Sequence, residues 1–211
     1  MLIFKRLVVM LVLTVLCLPA ARGAGQTIVV MGDSLSSGYG IAAGQSWVAM
    51  LEDRLQAEGY GYQVVNASIA GDTSAGGLAR LPRLLALHDP DLVVIELGGN
   101  DGLRGQPVAA LRDNLTKMIE LSRDSGADVV LAGMQIPPNY GTKYTDALAA
   151  VYPELARAYD AALIEFLLAD VALHRELMQP DGVHPNAAGQ RVVFANVWRV
   201  LGPLLTTRDA P

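Results

Sequence analysis

The stretch "IVVMGDSLSSGYG", residues 28–40, passes from Ile28, Val29 and Val30 into a cluster of small polar residues. Its first half has the composition of a strand covered on both faces. Asp33 and Ser34 stand where that strand would end. Two readings fit the tip. Asp or Ser after a strand often caps the next helix or closes a turn, because the side chain accepts local backbone N–H bonds. Alternatively, Ser34 does chemistry at the carboxyl edge of a sheet, where open α/β folds place their ligands.

Beyond this stretch the chain alternates apolar strands with helical patterns. Strands are expected over residues 27–31, 63–67, 92–97, 128–134 and 162–166, each short, rich in Val, Ile and Leu, and with little alternation. Helices are expected over 47–58, 78–87, 108–125, 143–159 and about 185–201, with Pro185 suited to a first helical turn. Regular β-α alternation implies a parallel sheet between two helical layers. Right-handed crossovers through five strands favour the flavodoxin-like order 2-1-3-4-5. No repeat, low-complexity tract or linker interrupts the pattern, so one domain is expected.

Residues that follow the strands of such a sheet meet at one edge. After the first strand stands Ser34, after the second Gly71 in "NASIAGDTSAGG", after the third Asn100 in "GGND"; "PDGVHP" brings Asp181 and His184 before the last helix. This set suits acyl transfer. A serine hydroxyl needs a base to take its proton, and histidine has a suitable pKa. The histidine needs an acceptor that fixes its tautomer, and Asp181 lies three residues before His184. Asn100 and the amides of Gly71 and Ser34 could supply donors to an oxyanion. Singly, each residue reads as well as a cap, a turn or a backbone requirement; their order along an α/β pattern is what favours chemistry.

"GDSLS", "GDTSAGG", "GGND" and "DGVHP" resemble the four blocks of the SGNH (GDSL-type) hydrolases, over essentially the whole chain after its leader. Within that family, "VVNASIAGDTSAGGLARLP", "VIELGGNDGLRG" and "PPNYG" are similar to the bacterial periplasmic acyl-CoA thioesterase I, lysophospholipase and arylesterase group. The resemblance implies Ser34 as nucleophile, His184 as general base and then acid, Asp181 as its orienter, and Ser34, Gly71 and Asn100 as the oxyanion hole. It also implies that Asp33 orders the loop. "MQIPPNYG" is shorter than the matching segment of that group, which borders the acyl pocket, so the resemblance carries the chemistry and not the chain-length preference. Leu103, Ile136, Pro137 and Pro138 are candidates to line an acyl groove. "GLRGQP", residues 102–107, is either a segment that closes over substrate or a plain helix-entry loop.

Residues 1–24 read as a secretory leader: Lys5 and Arg6, an apolar run from Leu7 to Leu18, then the small residues of "PAARGAG". The run is short for a membrane span, though an uncleaved anchor is the alternative. Residues 25–211 would then be the hydrolase domain of a periplasmic or secreted protein. The whole chain has 16 basic and 21 acidic residues; removal of the leader takes Lys5, Arg6 and Arg22 and no acid. An acidic body argues against nucleic acid or an anionic membrane surface as partner. Cys17, the only cysteine, leaves with the leader, excluding a disulfide, a thiolate nucleophile and a Cys-based zinc site. No cofactor and no metal are expected, and a monomer acting on a small acyl ester, thioester or lysophospholipid is.

"GYGIAAG", residues 38–44, imitates a dinucleotide loop but fails in spacing and in distance from its strand. "GDSLS" has Ser36 where a nucleophile elbow needs its second glycine, which argues against the α/β-hydrolase fold. His88 and His174 are expected on the surface, His174 with no carboxylate or histidine at metal-ligand spacing. Competing functions are a carbohydrate O-deacetylase on the same scaffold, a non-catalytic acyl-ligand carrier and a peptidase.

Overall fold

A computed structural model describes residues 26–205; the leader expected over residues 1–24 lies outside them. Strands β1 (Gln26–Gly32), β2 (Tyr62–Asn66), β3 (Leu92–Glu96), β4 (Asp128–Ala132) and β5 (Ala162–Ile164) form one parallel sheet in the order β2-β1-β3-β4-β5. This is the order expected from the alternation. The helices are α1 (Ser34–Ser37), α2 (Trp47–Ala57), α3 (Ser74–His88), α4 (Gly99–Leu103), α5 (Val108–Asp124), α6 (Thr142–Ala158) and α7 (Ala187–Leu201). They flank the sheet in two groups, α2 against α7 and α3 against α5 against α6.

Burial explains the unalternating strands. Ile28 to Met31 in β1 and Val93 to Ile95 in β3 are fully buried, whereas the edge strand β2 is only half covered. A central parallel strand has helices over both faces, so apolar residues are favoured at every position.

The element ends differ from expectation for local reasons. β4 stops at Ala132 rather than 134; Gly133 beyond it donates to the Ile164 carbonyl and accepts from the Leu167 amide, and the Glu165 backbone lies so close that a Cβ on Gly133 would be 2.1 Å from its carbonyl oxygen. α3 begins at Ser74, four residues before the apolar pattern starts: Thr73 caps it through the Gly76 amide. Gly76 and Gly77 are poor helix formers, yet a Cβ at Gly77 would lie 2.2 Å from Cδ1 of buried Leu97, which would have to shift. Pro185 is not in the first turn of α7. Asn186 takes the cap instead, accepting the amides of Ala188 and Gly189 at 2.9 and 3.1 Å, and Pro185 pairs as an isolated bridge with Met178. α1 and α4 are too short to show a period.

Between β5 and α7 the chain takes 22 residues without a long helix or strand. Its end is fastened at the stem of α7. The Asn186 amide donates to the Leu177 carbonyl at 2.8 Å, and the Asn186 side chain donates to the carbonyls of Glu176 and Met178 at 2.8 and 3.2 Å. Asn186→Ala removes the cap and both ties, and is expected to destabilise the fold by about 1–2 kcal/mol. Thermal unfolding should register this as a fall in Tm of roughly 2–8 °C.

Candidate active site

The loops after β1, β2 and β3 and the 22-residue segment after β5 meet at the carboxyl edge of the sheet. Asp33 is the N-cap of α1, its Oδ1 accepting the Leu35 amide at 3.0 Å, and Ser34 is the first helical residue. Capping and an available hydroxyl therefore fall on neighbouring residues.

The Ser34 hydroxyl oxygen lies 2.8 Å from His184 Nε2, and His184 Nδ1 lies 2.7 Å from Asp181 Oδ2. The other Asp181 oxygen accepts the amides of Val183 and His184 at 2.9 and 3.0 Å. Partial burial pushes the Asp181 carboxyl upward, but the bonds from the His184 ring, the His184 amide and the Val183 amide outweigh it and bring it down to about 2. Asp181 is thus an anion over the working pH range. It holds a proton on Nδ1 and leaves Nε2 to accept from Ser34. A hydroxyl so placed can be deprotonated as it attacks an electrophile.

Two features steady the histidine loop. The Gln179 side chain donates to the carbonyls of Tyr39 and Pro185 at 2.9 and 3.0 Å, and its amide donates to the His184 carbonyl at 2.7 Å. The Tyr39 ring lies 4.7 Å from that of His184.

Opposite the imidazole stand Gly71 and Asn100. Gly71 has φ +79°, a conformation strained for any side chain, and its carbonyl accepts from the Arg104 guanidinium at 2.8 Å. Asn100 Nδ2 donates to Asp33 Oδ2 at 2.8 Å, which leaves its second N–H unclaimed by Asp33. Buried Asp101 accepts from the amide and hydroxyl of Ser74 and so fastens α4 to the start of α3. Asp33 is only 2 % exposed. Desolvation raises its carboxyl to about 6, against the bonds from Leu35 and Asn100 and the attraction of His184.

A cavity of about 670 Å³ runs from these polar groups. Leu103, Ile136, Pro137 and Pro138 all border it, joined by Phe166 and Leu168, which were not anticipated; Ser34, Gly71, Asn100 and His184 border it too. The structure thus brings all of these candidate residues to one cavity and places Asp181 behind His184. "GLRGQP" is the end of α4 and the entry to α5, with Pro107 as the N-cap. Arg104 within it and Gln179 were overlooked; charge at the "GLRG" turn was a usable signal for the first, and nothing local marked the second.

His88 sits in the last turn of α3. His174 is exposed and pairs with Glu176, two residues on, at 3.1 Å, since an irregular loop brings i and i+2 side chains together. Among the described residues no group of three His, Cys, Asp or Glu could hold a metal ion, and no helix is long and apolar enough to cross a membrane.

Because burial raises Asp33, its protonation favours the folded state. That contribution is full below about pH 4, the unfolded value, and is lost as pH rises through about 6. Asp33→Asn is neutral throughout. Its stability relative to the natural protein should therefore climb between pH 4 and 7 in urea denaturation; a pH-independent difference would contradict the burial effect.

Residues 30–192 match the model of the GDSL-like lipase/acylhydrolase family. The chain is 53 % identical over 190 residues to the esterase TesA of Pseudomonas aeruginosa, covering 90 % of this chain and 94 % of that one. It is 42 % identical over 182 residues to the thioesterase 1/protease 1/lysophospholipase L1 of Escherichia coli, covering 86 % of each. A crystal structure of TesA superposes with a TM-score of 0.83 at 54 % identity, over 85 % of this chain and all of that one. With these motifs on this scaffold, the chain belongs to the GDSL-like lipase/acylhydrolase family, the SGNH hydrolases.

Proposed function

We propose that the protein is an exported serine hydrolase that cleaves carboxylic esters and thioesters of single-chain acyl substrates, among them lysophospholipids, through an acyl-enzyme. The observation that carries this reading is the Ser34–His184 contact of 2.8 Å at the polar end of an apolar cavity. The relatives named as esterase and as thioesterase and lysophospholipase act in the same chemical class.

Ser34 attacks the substrate carbonyl carbon while His184 Nε2 takes the hydroxyl proton, and Asp181 stabilises the imidazolium. The resulting oxyanion is met by the amides of Ser34 and Gly71 and by the free N–H of Asn100. Collapse breaks the bond to the leaving oxygen or sulfur, which takes the proton from His184. Water, deprotonated by the same imidazole, then releases the acid and restores Ser34. Arg104 holds the Gly71 loop through its carbonyl, keeping the amide turned to the site.

Residues 1–24 act as the leader and 25–211 as the hydrolase domain, which places the enzyme in the periplasm as a monomer with no cofactor. Export makes envelope lysophospholipids and short esters more accessible than intracellular acyl-CoA. The apolar wall of Leu103, Ile136, Pro137, Pro138 and Phe166 disfavours the short polar pocket of a carbohydrate O-deacetylase. A hydrogen-bonded serine, histidine and carboxylate disfavours a carrier that only binds.

On p-nitrophenyl acyl esters, kcat/KM should rise about fourfold per methylene until the groove is filled, from about 0.8 kcal/mol per buried CH₂. A profile falling from acetyl upward would favour the O-deacetylase. Ser34→Ala should lose on the order of 10⁴–10⁶ in kcat and all labelling by a fluorophosphonate; near-normal turnover would refute the nucleophile. Asn100→Ala should lose on the order of 10²–10³ in kcat.

A further inference from the structure

Glu96 is fully buried at the end of β3, paired in register with Gly32. Its Oε2 accepts the Ser36 hydroxyl at 2.5 Å and the Asp33 amide at 3.1 Å, and Ser36 in turn accepts the Trp47 indole N–H at 3.1 Å. No donor reaches Oε1. The first glycine of "GDSLS" makes the room: a Cβ on Gly32 would lie 2.5 Å from Glu96 Oε2 and 2.8 Å from Ser36. The motif therefore seats a carboxyl group directly beneath the turn that carries Ser34.

A buried carboxylate with one unmatched oxygen is costly; protonation removes the charge and turns the unmatched oxygen into a donor that a neighbouring acceptor can satisfy. Desolvation is the chief force raising Glu96, followed by the charge of Asp33, over the opposing bonds from Ser36 and the Asp33 amide. The bond from the Asp33 amide to Glu96 Oε2 brings the two carboxyl groups to one turn, and the interaction between them raises Glu96 while lowering Asp33. Both Asp33 oxygens already accept, from the Leu35 amide and from Asn100, whereas Glu96 Oε1 meets no donor, so the proton belongs on Glu96 with Asp33 as its acceptor. Asp33 Oδ2 meanwhile accepts from Asn100.

We propose that Glu96 is a positioning residue for the oxyanion donors: as a neutral acid it donates to Asp33, and through Asp33 it fixes the amide of Asn100 and the turn bearing Ser34. It touches no substrate. The chain runs from Glu96 to Asp33 to Asn100, so that one Asn100 N–H is spent on Asp33 and the other faces the cavity. A second anion in place of the acid would repel Asp33 and release that amide. This inference rests on the hydrolase reading of the site.

Two variants of equal length separate the possibilities. Glu96→Gln keeps a donor and an acceptor without charge, and Glu96→Met keeps neither. Turnover of p-nitrophenyl butyrate is measured per serine titrated by a fluorophosphonate, so that misfolded protein is not counted. Glu96→Gln should stay within about threefold of the natural kcat. Glu96→Met should lose about 10- to 100-fold in kcat with KM within about twofold, as expected for misplaced catalytic groups. On an Asn100→Ala background, where one of the two positioned groups is gone, the loss from Glu96→Met should shrink by at least about threefold. The proposal fails if Glu96→Gln is as impaired as Glu96→Met, if Glu96→Met keeps the natural kcat, or if its loss is undiminished without Asn100. Should Glu96→Met not fold, difference infrared spectroscopy at pH 7 decides. A protonated carboxylic acid band present in the natural protein and missing in Glu96→Gln supports the assignment, and its absence from the natural protein overturns it. A natural protein that neither labels nor turns over would instead refute the hydrolase reading.

Discussion

A hydrogen bond of 2.8 Å between residues 150 positions apart, Ser34 and His184, is the contact the rest of the architecture has to permit. Ser34 follows β1, beside the edge strand, while the chain that carries His184 leaves from β5 at the far edge. Three strand spacings separate them, roughly 14 Å at the usual distance between neighbours. A tight αβ connection cannot cover that distance. The 22-residue segment after β5 crosses it and returns to a helix that packs on α2. Long irregular connections of this kind are uncommon in compact domains and usually functional. Gln190, on α7, accepts the Trp47 amide and donates to the Leu35 carbonyl, which ties the return helix to the serine turn.

The two aspartates of the site show how position sets the behaviour of one side chain. Asp181 is near solvent and receives three N–H groups, so its charge is favoured and its carboxyl falls to about 2. Asp33, almost wholly enclosed, is raised to about 6 although it too receives hydrogen bonds. The first suits a permanent partner for an imidazole. The second suits a structural anchor, because a group with several fixed bonds and little solvent has no freedom to move.

The sheet order was legible because the central strands have unbroken apolar runs and the crossovers a helical period. Ser34, Gly71, Asn100 and His184 were legible because strand ends converge, and Asp181 because it stands three positions before His184. Glu96 was not: inside "VVIEL" it reads as a polar residue at a strand end, and only the packing of Gly32 and Ser36 shows that it points inward. The start of α3 was obscured by Gly76 and Gly77, whose small size answers to Asp72 and Leu97 rather than to helix propensity. Pro185 misled because its ring favours a first turn, while the stronger cap of Asn186 began the helix two residues later. Tertiary contacts overrode local preference in each case.

The segment from β5 to α7 does two jobs with different atoms. Phe166, Leu168, Ala172 and Leu173 border the cavity, and Leu173 is 97 % exposed. The histidine end is held by backbone carbonyls and by Asn186, Gln179 and Asp181. Substitutions in the wall leave the imidazole's fastenings untouched, so the pocket can diverge among descendants while the hydrolytic centre is inherited unchanged. Grafting residues 166–173 between relatives is accordingly a way to exchange acyl selectivity without rebuilding the reaction centre.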